Sequence, residues 1–168
     1  MTQNSRPISS GRRIFGRAQE DHIDDPYRLQ HKPKEPTVCA GCGAVYHRGR
    51  WQWARAPEAA HEGHCPACRR TADALPAGIV TVHGKLTPAH RAEIVGLARN
   101  EERAEKAEHP LNRIMAITEL EDRIEIRTTD IHLPRRLGET LKRALHGELD
   151  MHFDDAGYFV RVDWRPAP

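Results

Sequence analysis

Two Cys-x-x-Cys pairs, Cys39/Cys42 and Cys65/Cys68, constrain this chain more than any other feature, and its 168 residues contain no further cysteine. Four thiolates converging on one point satisfy a tetrahedral metal ion, and a two-residue gap lets one tight turn present both sulfurs of a pair. The residues inside the gaps, Ala40-Gly41 and Pro66-Ala67, are small or turn-prone, and Gly43 follows where positive φ is often required. With 22 residues between the pairs, the spacing predicts a four-cysteine zinc ribbon over residues 37–71, with a structural Zn²⁺ held by all four sulfurs. In an exported protein the same cysteines would make two disulfides. The N-terminal residues show no apolar leader, so a reduced metal site in a cytoplasmic protein is expected.

Apolar residues make up 38% of the chain, charged residues 30%, and the mean hydropathy is −0.72, which places the core in certain segments only. No run approaches the roughly 18 apolar residues of a membrane span. The net charge is +2, unevenly spread: Lys and Arg outnumber Asp and Glu by 12 to 8 over residues 1–84 and fall behind by 9 to 11 over residues 110–168. A basic excess around the cysteines points to a polyanionic partner. Residues 1–36 have no hydrophobic period, combine arginines with the acidic Glu20-Asp21 and Asp24-Asp25, and read as a disordered arm.

Within the cysteine segment, Arg50-Trp51-Gln52-Trp53-Ala54-Arg55 reads as a strand with both tryptophans on one face. Residues 72–110 read as a linker strand, the β-branched run Gly78 to Gly84, followed by a charged helix. That helix is opened by Thr87-Pro88 and closed by Pro110; its second half, nearly all charged or alanine, should meet solvent or a partner. Residues 111–165 carry the clearest pattern. Ile114–Thr118 and Ile124–Thr128 alternate as strands. Asp130 opens a helix with Leu133, Leu137, Leu141 and Leu145 on one stripe, and Glu148–Phe153 and Tyr158–Trp164 follow as two more strands. The order β-β-α-β-β predicts a small antiparallel sheet with packed helices, giving an α+β protein overall.

Nothing in the sequence assembles into catalytic machinery. No nucleophile elbow, phosphate-cradling glycine loop or His-Glu-x-x-His occurs, and His47, His61 and His64 beside the cysteines are not needed when four thiolates close the site. Such a site keeps no position open for water, so the expectation is a protein without enzymatic activity. The candidate nucleic-acid contacts are Arg48, Arg50, Trp51, Trp53, Arg55, Arg69 and Arg70, which offer guanidinium forks for phosphates and flat rings for bases. The alternative is that the tryptophans roof a small module, which needs apolar cover.

The cysteine pairs, the charged helix, the stretch Ile124-Glu125-Ile126-Arg127-Thr128-Thr129-Asp130-Ile131-His132-Leu133-Pro134-Arg135-Arg136-Leu137-Gly138 and the stretch Tyr158-Phe159-Val160-Arg161-Val162-Asp163-Trp164 follow in an order that resembles the N-terminal part of a known family. It is the large-ribosomal-subunit export adaptor family, nonsense-mediated-decay protein three, in particular its short prokaryotic relatives. The resemblance spans about residues 36–165 and implies a zinc-bearing region that contacts the ribosome or its RNA in assembly or stress. The further cysteine pairs and transport signals of full-length members are missing here, so nuclear export is not implied. A zinc-stabilised protein-interaction module is the second expectation. Neither a membrane nor a small-molecule substrate is expected.

Overall fold

The computed structural model describes residues 25–27 and 32–168, so most of the expected N-terminal arm lies outside the described residues. The first half of the fold is a four-stranded sheet of very short strands. β1 (Thr37–Cys39), β2 (Val45–His47) and β3 (Arg50–Gln52) form an antiparallel meander, and β4 (His61–Gly63) returns to lie parallel to β1, in the order β3-β2-β1-β4. Helix α1 (Pro66–Asp73) closes this cysteine module.

Two local expectations change here, each for a physical reason. The strand expected over Arg50 to Arg55 stops at Gln52, because β3 is an edge strand whose partner β2 ends opposite it at Val45. Trp51 and Trp53 therefore do not share a strand face. Pro66-Ala67 do not form a second tight turn either. Cys65 is the N-cap of α1 and Pro66 occupies the first helical position, where its fixed φ and missing N–H suit a helix start. In place of the second hairpin of a ribbon, the second cysteine pair sits on the first turn of a helix.

The second half is a five-stranded sheet covered on one face by two helices. The elements are β5 (Gly78–His83), α2 (Pro88–Glu108), β6 (Ile114–Glu119), β7 (Arg123–Thr128), α3 (His132–Leu145), β8 (Glu148–Phe153) and β9 (Val160–Arg165). The β-β-α-β-β order over residues 111–165 is present. The sheet, however, is mixed, because β5, expected within a linker, lies at its centre: the order is β6-β7-β5-β9-β8, with β5 antiparallel to β7 and parallel to β9. Its β-branched alternation explains the place. Val80 is fully buried between Ile126 of β7 and Val162 of β9, and Val82 between Ile124 of β7 and Trp164 of β9.

The leucine stripe of α3 packs on this surface, with Leu133, Leu137 and Leu141 buried. Asp130 does open that helix: its Oδ2 accepts from the N–H groups of His132 (2.7 Å) and Leu133 (3.0 Å). Helix α2 starts at the N-cap Thr87 as expected and buries Ile94 and Ala98. Its charged second half meets other parts of the same chain. Glu102 accepts from the Ile114 N–H (2.8 Å) and Glu101 from the Thr140 hydroxyl (2.9 Å). The buried Glu105 holds Asn112 (2.9 Å) and Arg136 (2.7 Å). Among the described residues, no helix is long and apolar enough to cross a membrane.

Candidate metal centre

The turn between β1 and β2 builds the first half of the centre. The Gly43 N–H donates to the Cys39 carbonyl and the Cys39 N–H to the Ala44 carbonyl, both at 2.8 Å. Gly43 takes φ +79°, the left-handed conformation its sequence position calls for. Gly41 has no room for a side chain, since a Cβ there would lie 2.9 Å from the Cys68 sulfur. The second half comes from α1, which carries Cys65 at its N-cap and Cys68 in its first turn.

The four sulfurs of Cys39, Cys42, Cys65 and Cys68 all lie within 4.8 Å of one another, and no disulfide joins them. Cys42 Sγ and Cys65 Sγ are 3.8 Å apart. A tetrahedral ion with metal–sulfur bonds of about 2.3 Å sets its sulfurs about 3.8 Å apart, so the donor set fits a zinc-sized ion. Cys39 and Cys65 are buried, while Cys42 and Cys68 are partly exposed. Among the described residues no histidine or carboxylate joins a cluster of this kind, so His47, His61 and His64 are not part of the donor set.

Sulfur charge is balanced unevenly. Burial pushes the Cys39 thiol up, but N–H groups of Cys65, Cys42 and Gly41 aimed at its sulfur together outweigh that and bring it down to about 6. Burial pushes the Cys65 and Cys68 thiols above the ordinary thiol range. The strongest counter-charge comes from a residue that sequence reasoning missed. Arg113, in the segment between α2 and β6, places Nη2 3.1 Å from Cys65 Sγ, 3.5 Å from Cys42 Sγ and 3.6 Å from Cys68 Sγ. Its Nη1 is also 3.6 Å from Cys68 Sγ. Burial works against its charge, but the sulfurs of Cys65, Cys68 and Cys42 more than offset this and raise the guanidinium above its ordinary value. Nothing in the sequence around Arg113 marks it, because it is 45 residues from the nearest cysteine and follows no pattern.

The seven candidate nucleic-acid residues divide. Arg48, Arg50, Arg55 and Arg69 are exposed, the last with its guanidinium 5.5 Å from the centre of the Tyr27 ring. Trp53 is 40% exposed, and its indole N–H reaches across to the Lys106 carbonyl of α2 (2.6 Å). Trp51 is half-buried, packs against Tyr46 with ring centres 5.5 Å apart, and touches the buried cluster around the cysteines. Arg70 is buried: it pairs with Asp25, donates to the Leu75 carbonyl and lies 4.4 Å over the Tyr27 ring. Arg70 is therefore a structural cation, and Trp51 in part a structural ring.

Comparison of the sequence with protein-family models and with curated proteins gives no match.

Proposed function

We propose that this chain is a zinc-stabilised, non-enzymatic binding module whose partner is ribosomal RNA or a ribosomal subunit, in assembly or under stress. The observation that carries the zinc part is the cluster of four sulfurs within 4.8 Å, which no further His, Asp or Glu joins among the described residues. Four protein ligands saturate a tetrahedral ion and leave no site for substrate water, so the metal's role is to hold the module's shape. The same donors also suit iron, and metal analysis of protein purified without added metal separates the two.

The RNA part is supported by the exposed arginines of the cysteine module, Arg48, Arg50, Arg55 and Arg69, by the partly exposed Trp53 ring, and by the likeness to the export adaptor family. The test is co-sedimentation with ribosomal subunits. Association at low salt that weakens steeply as salt rises is expected, because each phosphate contact releases counterions. No association at low salt overturns the reading.

A protein partner is the second reading, favoured by exposed apolar side chains: Leu75, just past α1, is 53% exposed and Phe153, at the end of β8, 47%. It predicts one co-purifying protein that survives nuclease and moderate salt.

A further inference from the structure

We propose that Arg113 makes the metal centre the joint between the two sheets, so that metal occupancy and docking of the cysteine module are one coupled equilibrium. The inference rests on the reading that the four cysteines hold a metal.

Arg113 belongs to the larger unit by its own bonds. Its N–H donates to Thr129 Oγ1 (3.0 Å), its carbonyl accepts from the Thr129 N–H (2.9 Å), and its Nε donates to the Pro110 carbonyl (2.8 Å). The side chain is thus held at its root and midway before its head arrives among the sulfurs, and little rotamer freedom remains to be lost there. The head then meets three of the four sulfurs at 3.1–3.6 Å. Among the described residues, Arg113 is the one group outside the cysteine module that hydrogen-bonds a sulfur.

The charge count gives this contact its weight. A divalent ion with four thiolates carries two net negative charges, and Cys39 and Cys65 are almost fully buried. Inside the module the sulfurs receive backbone N–H bonds such as Cys65 to Cys39 (3.2 Å) and Cys68 to Cys65 (3.4 Å), which carry no full charge. A buried charge without a partner is costly, and Arg113 supplies one full positive charge from the other unit. The rest of the seam is modest: the Trp53 to Lys106 hydrogen bond and Leu111 against the cysteine cluster. If Arg113 tightens metal binding, the metal tightens docking by the same factor.

The test uses the full chain. Zn²⁺ affinity is measured by chelator competition for wild type, R113M and R113K, and hydrogen exchange is followed at the Trp53 indole N–H, which bonds across the seam to the Lys106 carbonyl, with and without excess chelator. Loss of a group that orients metal ligands typically weakens binding by about 10–100-fold, the expectation for R113M, with R113K between it and wild type because it keeps charge but loses the fork. In wild type, chelation should speed exchange at this indole N–H, whereas in R113M it is already fast with metal bound. Wild-type Zn²⁺ affinity in R113M, or an indole N–H that stays protected when the metal is stripped, overturns the proposal. Should R113M not fold, R113K decides alone, its affinity equal to wild type being the refuting result. A wild-type chain that takes up no Zn²⁺ refutes the metal reading itself, which is a distinct outcome.

Discussion

In the five-stranded unit, 13 buried residues drawn from both helices and four of the strands converge on one core, with Val80, Ile94, Ile126, Leu133 and Val162 fully enclosed. In the cysteine module the corresponding cluster is Cys39, Ala44, Cys65 and Ala67, and every strand is three residues long. Two of those four buried residues are themselves metal-ligand candidates. The comparison sets side by side two ways to offset chain entropy: one unit removes apolar surface from water, and the other gathers four sulfurs where a metal ion would cross-link its short elements.

The largest expected effect breaks the comparison at its weaker side. Apparent binding energies for structural zinc in small modules are roughly 10–16 kcal/mol at neutral pH. Stripping the metal with a chelator, or substituting Cys65→Ser, should therefore unfold residues 37–73 while the five-stranded unit keeps its own cooperative transition. Chemical-shift dispersion of the two segments reads this directly. Simultaneous loss of both would mean that the units are not energetically separable.

Ile126→Ala attacks the other side. Ile126 is fully buried on β7, and large-to-small changes of this kind cost about 2–5 kcal/mol. Urea unfolding should show the loss in the sheet transition, with metal stoichiometry unchanged. A shift in stoichiometry would tie the modules more closely than their separate cores imply.

Proton release sharpens the contrast from the metal's side. Cys65 and Cys68 hold their protons at neutral pH whether the metal-free module is unfolded, where a thiol titrates at about 8.5, or folded, where burial raises both further, so metal binding must expel them. The sign follows: affinity rises with pH. Each proton displaced contributes about tenfold per pH unit, so these two thiols together give on the order of a hundredfold. Chelator competition at neighbouring pH values measures the slope, and a flat profile would show that the sulfurs are already ionised without metal.

Legibility divides along the same line. The clustering of the four cysteines, the Gly43 turn, the α3 leucine stripe and the Asp130 cap were readable, because each is a local pattern of spacing or periodicity. The central place of β5 was not. The neighbours of β5 are chosen by pairing partners 40 or more residues away, and the local alternation is the same in any sheet position. Nor could local pattern show that Arg70 would be buried under Tyr27 and Asp25, or that Arg113 would reach the sulfurs, since a basic residue looks alike in sequence whether it faces solvent or thiolates. For a similar reason the charged half of α2, expected to meet solvent or a partner, gave no sign of its contacts within the chain: Glu102 and Glu105 find Ile114 and Asn112 only after the chain turns back at Pro110.

The smallest expected effect lies at Asp130, where the larger unit carries a polar liability beside its apolar core. Burial raises its carboxyl above the ordinary value of 3.8, although the N–H groups of Leu133 and His132 pull the other way, and its Oδ1 is buried without a partner. A folded-state pKa above the unfolded one means that the associated stability is fully present below pH 3.8 and is lost as pH rises through the raised value. Asp130→Asn keeps an acceptor for His132 and Leu133 and removes the titration. Relative to wild type, its stability should therefore improve as pH rises from 3.8 toward neutrality. Asp130→Ala removes the cap as well and should cost about 1 kcal/mol. Urea unfolding across that range distinguishes them: parallel profiles for wild type and Asp130→Asn would show that this carboxyl pays no burial penalty, and that the larger unit tolerates charge as readily as the module built around its sulfurs.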